Sequence, residues 1–93
     1  MIPIFTRLTA KPGKRNELIA ALEELATSTR AEPGNREFVA YPARDDTDVV
    51  LGYELFDDQA AVDAHRATQA VADARARLDE LLAQPPEITY GIG

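Results

Sequence analysis

The stretch Val49-Val50-Leu51-Gly52-Tyr53-Glu54-Leu55-Phe56, running straight into Asp57-Asp58-Gln59-Ala60-Ala61-Val62-Asp63-Ala64-His65, decides the fold. Its first half has strand alternation with apolar residues on both sides. Val49, Leu51, Tyr53 and Leu55 project one way, Val50 and Phe56 the other, and only Gly52 and Glu54 interrupt. Helices can cover one face of a sheet, so a strand apolar on both faces predicts a second cover. A copy of the same sheet through a two-fold axis is the most economical one. The second half reads as a helix reaching about His65, with Asp57 as its N-cap and Phe56 placed to staple onto Ala61.

Upstream, residues 35–42 form a strand joined to this one by the acidic turn Arg44-Asp45-Asp46-Thr47-Asp48, which makes a hairpin. Before it, Leu18, Ile19, Leu22, Leu25, Ala26 and Thr29 recur at helical spacing from Lys14 to about Ala31, and Glu32-Pro33-Gly34 stops that helix. The chain opens with a strand over residues 2–10, with Ile2, Ile4, Thr6, Leu8 and Ala10 on one side and Pro3, Phe5, Arg7 and Thr9 on the other. Downstream, a longer helix runs through Val71, Ala74, Leu78, Leu81 and Leu82. Gln84-Pro85-Pro86 breaks it, and Ile88, Tyr90 and Ile92 alternate as a last strand. The order β-α-β-β-α-β predicts an α+β, ferredoxin-like domain spanning residues 1–93: an antiparallel four-stranded sheet with its helices on one face. The other face is predicted to pair into a homodimer.

Ninety-three residues build a small core, which also favours a partner. With 10 basic and 16 acidic residues the net charge is −6, a repulsive field for phosphates and anionic lipids. Nucleic-acid and membrane partners are therefore not expected. There is no cysteine, hence no disulfide, thiolate nucleophile or cysteine-ligated metal, which suits a reducing cytoplasm. The opening residues lack a basic region followed by a long apolar run, so a cytoplasmic location is expected. The acidic turn lacks the glycine and distal glutamate of a calcium loop, and one histidine cannot supply a zinc site, so no metal is expected. No phosphate loop, G-x-G-x-x-G segment or nucleophile elbow occurs. Any catalysis is expected to run without a cofactor held by a recognised motif.

His65 is the one side chain of a type that ordinarily titrates near neutral pH, so acid–base proposals begin with it. Val62 and Ala61 precede it by three and four residues and look core-facing, which turns the imidazole toward the sheet. The plain alternative is a partly buried histidine satisfied by backbone. Glu54 shares a strand face with Phe56. A carboxylate there must be paired with an arginine or with His65, or lie at a cleft mouth, and burial would raise its pKa as a general base requires. A salt-bridged strand glutamate is the structural alternative. Arg7, between Phe5 and Thr9, binds an anionic or enolate oxygen, pairs across the dimer, or forms a structural ion pair. Tyr41, Tyr53 and Tyr90 present hydroxyls whose default role is interface packing.

Three segments carry a resemblance: Ala10-Lys11-Pro12-Gly13-Lys14, Arg30-Ala31-Glu32-Pro33-Gly34, and Tyr53-Glu54-Leu55-Phe56-Asp57-Asp58-Gln59-Ala60-Ala61-Val62-Asp63-Ala64-His65. With them the whole chain resembles the antibiotic biosynthesis monooxygenase superfamily. The resemblance implies a ferredoxin-like fold paired into a dimeric α+β barrel. It also implies a cofactor-independent monooxygenase that oxidises a quinol or polycyclic, polyketide-like phenol with dioxygen. His65 matches the histidine after the D-x-x-A helix start, and Glu54 the acidic residue of the Y-E-x-W segment. Phe56 stands where tryptophan is usual, Ala70 where many relatives carry a second histidine, and Gly52 where polyketide oxygenases place asparagine. Under this reading His65 or Glu54 is the base, Arg7 the anion partner, and Phe5, Phe38, Phe56 and Val62 wall an aromatic substrate. Those three departures favour the alternative, a non-catalytic small-molecule-binding or scaffolding dimer. A related isomerase is a further one. The geometric test is whether these groups converge on one cavity.

Overall fold

The computed structural model describes residues 1–93 and carries β1 (Ile2–Thr9), α1 (Arg15–Arg30), β2 (Asn35–Pro42), β3 (Val49–Phe56), α2 (Gln59–Arg66), α3 (Gln69–Leu81) and β4 (Glu87–Tyr90). The strands form one antiparallel sheet in the order β2-β3-β1-β4, the ferredoxin-like α+β arrangement expected from the sequence. A bulge at Asn35–Glu37 adjusts the start of β2. No helix is long and apolar enough to cross a membrane.

Pairing register assigns the faces. Ile4 opposes Glu54, Thr6 opposes Gly52 and Leu8 opposes Val50, and all of these look toward the helices. The helices answer with Leu18, Leu22 and Ala26 of α1, Val62 and His65 of α2, and Val71 and Leu81 of α3, all buried. The core divides in two. Leu8, Ala10, Leu18, Leu22 and Val50 pack at one end, and Ile4, Phe56 and Val62 at the other, with Ala61 against the second group as the staple predicts. Between them lies the Thr6–Gly52 rung, polar on one strand and bare on the other. There the apolar alternation of β1 and β3 lapses together, and no large side chain fills the gap.

The opposite sheet face has no helix over it. Phe5 is 49% exposed, Tyr41 65% and Leu51 45%, and the Phe5 and Tyr53 rings lie 5.2 Å apart.

One cap differs from expectation. Asp57 does not cap α2: its N–H donates to the Gly34 carbonyl and its carboxylate pairs with Arg36 of β2, so it still belongs to the sheet edge. Asp58, in extended conformation, is the N-cap, and its carboxylate accepts from the Ala61 N–H at 2.9 Å.

Candidate active site

His65 ends α2 and is held by local chemistry. Thr68 caps α3, its hydroxyl accepting from the Val71 N–H and donating to the His65 carbonyl at 2.8 Å. This cap breaks the helix just after His65, so the imidazole sits at a fixed corner and packs on the Phe56 ring, 5.0 Å between centroids. Its Nδ1 faces both oxygens of Glu32, at 3.2 and 3.1 Å. An ionised carboxylate only accepts, so Nδ1 carries the hydrogen and, in the neutral ring, Nε2 carries the lone pair. Nε2 points to Glu54 Oε1 at 3.8 Å, longer than a hydrogen bond and close enough for one hydroxyl to touch both. The result is a carboxylate–imidazole–carboxylate row, Glu32–His65–Glu54.

Glu32 occupies that place because of the turn that ends α1. The Glu32 N–H donates to the Thr29 carbonyl, and the Asn35 N–H returns to the Glu32 carbonyl, which closes the turn over Pro33 and Gly34. Gly34 then touches α2 directly. A Cβ built on it would lie 2.4 Å from Ala61 Cβ. The absent side chain is what lets the Glu32 turn and the His65 helix meet.

The Glu54 carboxyl has its pKa raised above the ordinary 4.5, chiefly because burial penalises its charged form. His65 and Arg66 oppose the rise, and Glu32 adds to it. A folded-state value above the unfolded one means that the folded protein holds the extra proton. The stability this group contributes is therefore complete below the unfolded value and is lost as pH rises through the folded one. Glu54→Gln keeps the shape and removes the charge. It should raise unfolding stability by about 1 kcal/mol near pH 7.5 and leave it unchanged near pH 4. Thermal unfolding of both proteins across that range checks this, and an equal shift at both ends would remove the explanation.

Above the row opens a cavity of roughly 160 Å³, seventeen residues around it and eleven of them hydrophobic. Leu22 and Leu25 of α1, Val71 and Leu78 of α3, and Phe38 of β2 supply its apolar wall, and Thr6, Glu54 and His65 its polar side. Gly52 makes room for Thr6, since a Cβ at 52 would stand 2.2 Å from Thr6 Oγ1. No cluster of three or more histidine, cysteine or carboxylate side chains is arranged to hold a metal ion.

Of the residues singled out from sequence, His65, Glu54 and Phe38 line this cavity. Phe56 and Val62 are fully buried behind His65, where they support the ring and do not form the cavity wall; Val62 touches only an adjoining lobe. Phe5 and Arg7 do not join the site. Both lie on the opposite face of the sheet, because Arg7 opposes Leu51 and Phe5 opposes Tyr53 in register. Arg7 is instead 3.9 Å from Asp46 and 3.6 Å from Glu87. Strand parity separates Arg7 from Glu54 within one protomer, and the anion-partner role expected of it is corrected accordingly. Ala70 lines a separate groove between α1 and α3. Sequence reading missed three participants: Glu32, Thr6 and Arg75, the last of which lines the cavity from α3. The only local sign of Glu32 was its place in a helix-stopping Glu-Pro-Gly.

These features have counterparts among known proteins. A family model described as antibiotic biosynthesis monooxygenase matches residues 1–77. The Mycobacterium tuberculosis protein named "Putative monooxygenase Rv0793" is 33% identical over 88 residues, covering 95% of this chain and 86% of that one. Its solved structure superposes with a TM-score of 0.91 over 99% of this chain and 93% of that chain, at 29% identity. The Bacillus subtilis protein named "Putative monooxygenase YcnE" is 27% identical over 95% of this chain and 93% of its own. A Nitrosomonas europaea structure reaches a TM-score of 0.94 at 22% identity, covering 100% of this chain and 98% of that one, a likeness of fold.

Proposed function

Because the chain belongs to the antibiotic biosynthesis monooxygenase family, we propose that it is a monooxygenase that uses dioxygen on a small phenol or quinol, with His65 as the base. The observation that carries this reading is the Glu32–His65–Glu54 row at the edge of an apolar cavity. A substrate hydroxyl seated at Nε2 gives its proton to His65, while Glu32 holds the ring and balances the developing imidazolium charge. Glu54, whose burial favours its protonated form, donates to the phenolate oxygen or receives the proton in turn. The electron-rich phenolate passes an electron to dioxygen, and recombination forms a carbon–oxygen bond at a ring carbon. Loss of water from the hydroperoxide then leaves a quinone. Phenol and dioxygen in equal amounts become quinone and water, which closes the balance without a further reductant. The surrounding leucines, Phe38 and Val71 keep water from the intermediate.

Cavity size guides the choice of substrate. A cavity of about 150 Å³ accepts benzene, so roughly 160 Å³ in a cleft open to solvent accommodates one aromatic ring inside, and single-ring phenols are the first substrates to test. Oxygen uptake with single-ring hydroquinones, measured against the autoxidation background, tests the proposal. Uptake at background across such a panel, with deuterium exchanged into a bound enol, would replace it with an isomerase. Background uptake without exchange would leave a binding dimer.

The homodimer is proposed from the open sheet face, where Phe5, Tyr41, Leu51 and Tyr53 form an apolar surface on an otherwise acidic chain. Leu51→Asp places like charges near the two-fold and should weaken association at least about tenfold. Analytical ultracentrifugation reads this directly. A wild-type monomer at micromolar concentration would refute the dimer.

A further inference from the structure

Ten basic residues serve sixteen acidic ones in this chain, and most are engaged. Arg7, Lys14, Arg36, Arg44 and Arg77 pair with carboxylates, and Arg15 and Arg30 donate to backbone carbonyls. Lys11, Arg66 and Arg75 have neither, and of these the two arginines line one lobe together. Beside the apolar cavity lies a second lobe of roughly 120 Å³ with Arg66 and Arg75 both in its lining, and the two lobes share Thr6, Glu54, His65, Val71, Arg75 and Ile88. Arg66 is steadied by stacking over the Tyr90 ring, 5.1 Å from its centroid, which leaves its N–H edges free for a planar acceptor.

We propose that the cleft is bipartite and selects a single-ring phenol that bears a carboxylate: the ring lies in the apolar lobe, the hydroxyl meets His65 at the junction, and the carboxylate is held by Arg66 and Arg75. Arg66 and Arg75, neither of them in a salt bridge, rim one lobe whose lining holds a single carboxylate, Glu54, with Arg66 close enough to act on its charge. In a chain of net charge −6 they form a local attractive site for an anion that the rest of the surface repels. Carboxylate and guanidinium match as planar, bidentate partners. Thr6 Oγ1 bonds to no protein group and faces the shared region, where it offers the ring substituents a further contact. The inference rests on the monooxygenase reading only for which hydroxyl reacts.

The test is isothermal titration of the wild-type protein at low salt with 2,5-dihydroxybenzoate, its methyl ester and hydroquinone. The acid should bind at least about tenfold tighter than the ester, since hydrogen bonds to charged groups are the stronger class. The preference should fall within about twofold for the double variant Arg66→Gln, Arg75→Gln. His65→Ala should keep it. Equal binding of acid and ester, failure of the acid to bind, or a preference that survives in the double variant would each overturn the proposal. Circular dichroism confirms that the variants fold. Oxygen uptake is scored separately: charge-selective binding without uptake upholds the anion site while removing the oxygenase.

Discussion

His65→Ala should lower oxygen uptake with a single-ring hydroquinone by about a hundredfold or more, roughly 2.7 kcal/mol of transition-state stabilisation, without unfolding the protein. The magnitude follows from what the variant removes: the only Nε2 lone pair directed at the cavity, and with it the group that links Glu32 to Glu54. Glu32→Gln should lose less, about tenfold, because the amide oxygen still accepts from Nδ1–H while the balancing charge is gone. That loss should appear in kcat with KM nearly unchanged, since Glu32 acts through His65 and positions it. The counter-result is specific. Uptake by His65→Ala within about twofold of wild type would remove the histidine from the chemistry and transfer the proton step to Glu54.

Gly34→Ala should destabilise the fold by about 2–3 kcal/mol, on the order of a 10 °C fall in Tm for a chain this short. The added methyl would stand 2.4 Å from Ala61 Cβ and 3.4 Å from Ala61 Cα, so no flexible side chain is available to yield. The helix carrying His65 must move off the turn carrying Glu32, and the Nδ1 contact must lengthen with it. Stability and uptake should therefore fall together. Ala61→Gly alone costs about 1 kcal/mol by helix propensity, yet in the double variant it relieves the clash and should restore part of the loss. The interaction energy from the four proteins decides between steric contact and mere backbone stiffening, which would leave the two substitutions additive.

The hairpin and the two-part helical segment were legible because each is fixed by neighbours within a few residues. The acidic turn at 44–48, the Pro85-Pro86 break and the 3.6-residue recurrence of Leu18 and Leu22 are local signals. The Asp57 cap was misread by one position for a reason that is not local. Arg36, twenty-one residues earlier, claims that carboxylate and leaves the cap to Asp58. The place of the cavity was half legible. Gly52 and Glu54 interrupt β3 in sequence, but the gap exists only because register sets Thr6 opposite Gly52 on the same face.

The residues by themselves determined the element order, the ferredoxin-like topology, an apolar sheet face left uncovered by helices, and His65 and Glu54 as the groups most able to do chemistry. Periodicity and turn preference act along the chain, so a sequence states them outright. Tertiary structure alone decided which groups meet. Glu32 reaches His65 across thirty-three positions, and Arg66 joins Arg75 from a different helix. Arg7, one residue from Thr6 and from Leu8, which share the face of Glu54, is sent to the far side by strand parity. Such contacts depend on register and on how closely two backbones approach, here through a glycine at 34. No pattern along the chain encodes the distance between elements that only packing brings together.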